Sequence, residues 1–119
     1  MKHNFRKLEI YQESIALAKL IFEITLSFPE NEQFGLTSQL KRASISVPSN
    51  ISEGSSRNSS KEFSRFLSYS LGSLFEIETQ LFLAKEFNYI SEEKQNEILD
   101  LIIKLQKRIT IFKSKIEKE

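Results

Sequence analysis

The sequence predicts an all-α chain, an antiparallel up-down-up-down four-helix bundle whose second helix is kinked at Pro48. Two observations carry this expectation. Apolar residues recur at three- and four-residue spacing in four separate segments, with serine, asparagine, glycine and proline between them. No stretch shows the strict alternation of a half-buried strand. The chain has 119 residues, 39% of them apolar, with three glycines and two prolines, which reads as one folded domain over 1–119.

The first helix is expected from about Leu8 to Ser27, marked by Leu8, Tyr11, Ile15, Ala18 and Phe22, and it stops at Phe28-Pro29 because the residue before proline leaves helical geometry. The second spans Phe34 to Gly54. On it Leu36, Leu40, Ala43, Val47 and Ile51 share an apolar face. Pro48 lies inside this pattern, lacks an amide hydrogen, and its ring meets the carbonyl of Ser44. Because the pattern continues to Ile51, the spacing predicts a kink rather than an end. Ser44, Ser46 and Ser49 could bond the carbonyls a kink would free. The third helix opens on Ser59 and Glu62 at capping-box spacing and runs to about Phe87. Asn88-Tyr89-Ile90 turns the chain. Ser91 followed by Glu92 and Glu93 opens the fourth, whose apolar face is Ile98, Leu101, Ile102, Leu105, Ile109, Phe112 and Ile116.

Three surface features stand out. Beside the apolar face of the second helix runs a polar stripe, Gln39, Arg42, Ser46, Asn50 and Glu53. It is expected to form a hydrogen-bonded network that holds a partly buried Arg42 through Glu53, Glu76 or Asn50; the plainer alternative is a bend with a solvated flank. The third helix has a core row, Phe63, Leu67, Ser70, Leu74, Ile77, Leu81 and Ala84, and a second surface through Ser64, Ser68, Leu71, Gly72, Phe75, Thr79 and Phe82. A helix apolar on two sides is buried on two sides, so Ser68, Leu71, Gly72, Phe75, Thr79 and Phe82 are read as an oligomer interface. The alternative is that both phenylalanines tuck against a helix of the same chain. On the fourth helix Lys104, Lys107, Arg108, Lys115 and Lys118 fall within an arc of ~100°. Such a stripe can neutralise phosphates, although a solvated face at a helix C-terminus looks the same.

Composition bounds the rest. Net charge is +1, so no overall field draws the chain to nucleic acid or membrane. Charge is uneven all the same, with seven acids and two lysines from Glu76 to Asp100, then six cations and two acids from Lys104 to Glu119. That order also suits the helix dipole. The absence of cysteine, of a signal-peptide core and of a membrane-length apolar run predicts a cytoplasmic chain with no membrane contact. The one histidine, His3, lies in a terminus expected to fray, and the one aspartate is Asp100. No Glu-x-x-His pair, phosphate loop or catalytic relay can be assembled, so no enzyme activity, metal or cofactor is expected.

The ordered block Phe34-Gly35-Leu36-Thr37, Gln39-Leu40-Lys41-Arg42-Ala43, Ser46-Val47-Pro48-Ser49-Asn50-Ile51 and Glu53-Gly54 resembles the signature of the four-helix proteins encoded in 23S rRNA intervening sequences. Phe28-Pro29, Glu32, Phe63, Phe66-Leu67, Gly72-Ser73-Leu74 and Glu76 extend the resemblance from about Phe5 to Phe112. Lys41 and Ser52 stand where arginine and alanine are common. The resemblance implies a four-helix bundle assembling as a homo-oligomer, a pentamer for preference. The family is similar to the accessory variability proteins of diversity-generating retroelements, which implies RNA or DNA, and a reverse transcriptase or another nucleic-acid enzyme, as partners. The expected function is thus a non-enzymatic, oligomeric, RNA-binding bundle; the alternative is a structural or protein-interaction module with no nucleic-acid contact.

Overall fold

The computed structural model describes residues 3–119. After a 3₁₀ turn at Phe5–Lys7 come α1 (Glu9–Thr25), a second 3₁₀ turn at Glu30–Glu32, α2 (Leu36–Ser55), α3 (Ser60–Glu86) and α4 (Glu92–Ile116). The molecule measures 45 × 24 × 20 Å, the length being set by α3. The start signals lie where the sequence places them: Ser59 Oγ accepts from Glu62 N and Ser91 Oγ from Lys94 N, each at 3.1 Å. α3 ends in a Schellman turn, with Tyr89 N donating to Ala84 O and Asn88 N to Lys85 O. This turn requires a left-handed residue after the cap, and Asn88 has φ 64°.

Each helix packs on its chain neighbours and α4 closes on α1, while among the described residues no Cα pair within 8 Å joins the diagonal helices. Cross-helix pairs fix the sense. Gln80 reaches Gln39, Arg42 reaches Glu76, and Ser46 meets Ser73, so positions rise along α2 as they fall along α3. Gln106 with Glu78 and Glu117 with Ser64 relate α4 to α3 in the same opposed way.

The core takes the expected row of α3, all seven residues buried, together with Leu40, Ala43, Val47 and Ile51 of α2 and Ile98, Ile102, Leu105, Ile109 and Ile116 of α4. α1 differs. Its core row is Ile10, Leu17, Ile21 and Ile24, whereas Ile15 and Phe22, which mark the helix in the sequence, are largely exposed beside α2. α1 carries two apolar rows about a third of a turn apart, and spacing alone cannot rank them. Helical geometry in α2 continues through the buried Pro48. Ser44 donates to its own helix at Lys41 O, but Ser46 turns to α3, and Ser70 Oγ of α3 donates 2.8 Å to Val47 O.

Gly54 and Gly72 play opposite parts. A Cβ on Gly54 would lie 2.6 Å from Phe66 Cβ and 2.9 Å from Phe63 Cδ1, so α2 and α3 meet there without room for a methyl group. A Cβ on Gly72 would meet nothing within 4 Å. In the isolated chain Gly54→Ala is therefore expected to destabilise by about 1–3 kcal/mol through overpacking. Gly72→Ala should stabilise by about 0.5–1 kcal/mol through helix propensity. Urea unfolding of the two variants tests the opposed signs.

At one end of the bundle Glu32 joins two connections. Its carboxylate accepts from Leu36 N at 3.0 Å, capping α2, and from Tyr89 OH at 2.7 Å, holding the α3–α4 turn. Tyr89 also packs on Phe28, ring centroids 5.3 Å apart. The bonds from Leu36 N and then Tyr89 hold the Glu32 carboxyl below its ordinary value, and the bond to Glu32 holds the Tyr89 phenol above its own. A carboxyl lowered in the fold contributes stability above its unfolded pKa of about 4.3 and loses it as pH falls through the folded value. A phenol raised in the fold contributes below about 10 and loses it as pH rises. The contact is thus strongest between those limits. Glu32→Gln should lower the urea midpoint at pH 7, and the gap from wild type should shrink at pH 3, which lies below the unfolded value of about 4.3. A gap equal at both pH values would contradict this assignment.

Candidate nucleic-acid interface

The outer face of α4 changes sign along its length, with Glu93, Glu97 and Asp100 first and Lys104, Lys107 and Lys115 after, while Lys118, expected on the same helix, lies in the turn beyond Ile116. Among the described residues none of those four lysines makes an ion pair, and all four are exposed. The half-exposed Ile111 lies among them. Arg108 differs. It is tied to Glu13 of α1 by an ion pair and hydrogen bond, with Glu9 at 3.6 Å. The bond to Glu13, opposed by burial and aided by both charges, raises the guanidinium above its ordinary value. Of the five cations expected in the stripe, four point outward unpaired and Arg108 closes the α1–α4 seam.

That seam also forms a shallow groove of about 320 Å³, lined by Leu8, Glu9, Ile10, Arg108, Ile111, Phe112 and Lys115. Nearby, His3 is held rather than frayed. Its ring packs against Phe63 and Phe112, centroids 5.6 and 5.4 Å away, and Nε2 lies 3.5 Å from a Glu119 oxygen. Lys113 is bound to Glu117, which also accepts from Ser64 Oγ, and these contacts, Lys113 first, lower the Glu117 carboxyl. Ser64, expected on the second surface of α3, is accordingly buried.

The polar stripe of α2 forms three separate links to α3 rather than one network. Gln39 Oε1 accepts from the buried Gln80 at 3.5 Å; Arg42 Nη2 lies 3.4 Å from Glu76 Oε2; Ser46 joins Ser73 at 2.6 Å while Asn50 Nδ2 donates to Ser46 O and Oγ. Glu53 turns away to Arg57. Arg42 is not buried: its side chain is 65% exposed. Its length lets it reach Glu76 across the outside of the seam while shorter groups fill the inside. Ser73 and Gln80, which with Glu76 carry the α3 half of these links, could have been read from the polar positions flanking the α3 core row.

On the α3–α4 side Phe75 and Phe82 are 57% and 49% exposed, so neither tucks against its own chain. Ser68, Gly72 and Thr79 are exposed beside them, and Leu71 is half-buried against the core. Among the described residues no group of three or more His, Cys, Asp or Glu side chains could hold a metal, and no helix is long and apolar enough to cross a membrane.

The class of protein so defined is a small four-helix bundle with one half-basic helix face and unpartnered apolar surface. More particularly, the chain belongs to the family of 23S rRNA-intervening sequence proteins, whose family model matches residues 6–111. It is similar to a crystal structure of a protein with unknown function from the S23 ribosomal protein family of Bacteroides thetaiotaomicron VPI-5482. The two share 23% identity over 87% of this chain and 96% of that one, with a TM-score of 0.78, a likeness of fold. No curated protein matches the chain.

The pairing pattern separates two arginines. Arg42→Ala should change stability by less than about 1 kcal/mol, as for an exposed ion pair. Arg108→Ala removes the only cation that faces Glu13 among the described residues, and because Glu13 Oε1 is already buried without a partner it should destabilise more than Arg42→Ala. Equal effects in urea unfolding would overturn the distinction.

Proposed function

We propose that this protein is a non-catalytic, self-associating bundle that binds the phosphate backbone of structured RNA through the outer face of α4. The observation that carries the reading is the set of four exposed, unpaired lysines, with Lys104, Lys107 and Lys115 on one arc of α4 and Lys118 in the turn that follows it. Helical spacing lets such a row follow a phosphate backbone, and no aromatic side chain is interleaved to stack on bases, so binding would be largely independent of sequence. A near-neutral chain has little field to add, and affinity would come from repeating the row in an oligomer, a pentamer on the strength of the resemblance. The membership of a family named for 23S rRNA intervening sequences agrees with an RNA partner. On this reading the bundle works in the cytoplasm beside an enzyme that processes the nucleic acid, a reverse transcriptase being the class the resemblance implies.

The exposed Phe75 and Phe82 favour a second reading, a protein-interaction module with no nucleic-acid contact. Anisotropy titration of a structured RNA hairpin decides between them. With three or four phosphate contacts, raising salt from about 50 to about 200 mM should weaken binding by about 20- to 100-fold. Replacing Lys104, Lys107 and Lys115 with glutamate should abolish binding while leaving helicity and mass unchanged. Equal affinity of variant and wild type would remove α4 from consideration. No binding by either at low salt would favour the second reading.

A further inference from the structure

Around its circumference the bundle has seams of two kinds, alternating. The α2–α3 seam is closed on the outside by polar links such as Ser46–Ser73 and Arg42–Glu76, and the α1–α4 seam by Arg108 with Glu13 and Glu9. The other two carry large exposed apolar side chains, although Gln106–Glu78 and Ser64–Glu117 also link α3 to α4. Across α1–α2, Ile15 and Ile45 are 47% and 48% exposed above a groove of about 220 Å³ that also takes in Ala18 and Pro48, with Phe22 exposed further along. Across α3–α4, Phe75, Phe82 and Ile103 stand out as a ridge. Because the helices pack in ring order, these two apolar seams lie on opposite sides of the molecule.

We infer that the α3–α4 ridge of one copy docks into the α1–α2 groove of the next, a head-to-tail contact between unlike faces. The inference rests on the self-association proposed above and names its geometry. Three observations select a second copy as occupant. The faces differ in relief: one offers large side chains standing clear of the helix, the other a recess between two helices. They differ in charge, for Lys41 stands with Phe22 at the end of the groove and Glu86 follows Phe82 on the ridge, and among the described residues neither makes an ion pair. Lys41 lies over the Phe22 ring, 5.0 Å from its centroid, beside where an incoming carboxylate would arrive. Finally, Gly72 sits mid-helix on the ridge with open space around it. Nothing in its own chain explains the loss of helix propensity, and close approach of another backbone does. Ridge against ridge would set Glu86 near its own copy and leave the groove uncovered. Unlike faces repeat until the rotation closes a ring, or else extend as a filament.

The test uses Phe82→Glu to block the ridge and Ile45→Glu to block the groove, with Phe75→Lys and Ile15→Lys as a second pair, helicity being checked by circular dichroism. Light scattering should find an oligomer for wild type and a monomer for each variant alone. Mixing a ridge variant with a groove variant should restore a complex of two chains and no more, since one intact ridge and one intact groove remain. If both groove variants assemble like wild type, self-association stands and the head-to-tail pairing is overturned. If mixtures of folded variants stay monomeric, the pairing is likewise overturned. A monomeric wild type at micromolar concentration removes self-association, and the pairing with it.

Discussion

A side chain at position 54 has nowhere to go. With Phe66 Cβ 2.6 Å from where the Gly54 Cβ would stand, α2 and α3 approach too closely for anything larger than hydrogen. The seam they form is otherwise built of small residues, Ala43, Ser46, Ser70 and Ser73, so the closeness persists along its length. It also accommodates a proline. Pro48 removes an amide from the middle of α2, and the two residues just before it are held by α3, through Ser70 Oγ on Val47 O and Ser73 Oγ on Ser46 Oγ. A helix weakened at its centre survives because its neighbour is near enough to brace it. The core row of α3 and the outward aim of Phe75 agree with the rotation of α3 that this contact requires.

The core of α3 was legible because its two apolar surfaces are unequal: one is an unbroken row, the other is interrupted by serine, glycine and threonine. In α1 the rows are balanced, and burial follows Ile10, Leu17 and Ile21, on whose flank α4 supplies Arg108 for Glu13. That partner lies 95 residues away, beyond the reach of any local spacing. The same distance hid the engagement of Arg108, which shares an arc with lysines that stay free. The polar stripe on α2 makes hydrogen bonds to α3, yet Arg42 has a long side chain and a partner on the outside, so it never needs to be buried. Capping signals, by contrast, act within three residues, and both were readable from the sequence.

Polar and apolar seams alternate for a reason that belongs to the surface rather than to the core. Four helices can bury one stripe each in the centre, and whatever lies outside a seam is free to vary without unfolding the bundle. Hydrogen-bonded serines and ion pairs outside two seams make those seams poor places for another protein to bind. Phenylalanine and isoleucine outside the other two do the reverse. The lysines of α4 border a polar seam, so a contact made through the apolar ones would leave them in water.

The unequal reach of the seams has a consequence for the order in which they form. Ser70 and Val47 are 23 residues apart in the chain, whereas Arg108 and Glu13 are 95 apart. Closing the longer loop costs about 1 kcal/mol more in chain entropy. Contacts between helices adjacent in the chain, α2–α3 among them, are therefore favoured early, and the α1–α4 seam is the last to shut. By the same arithmetic it is the first to part under stress. The lysine-bearing half of α4 would then swing away while the proline-containing hairpin still holds.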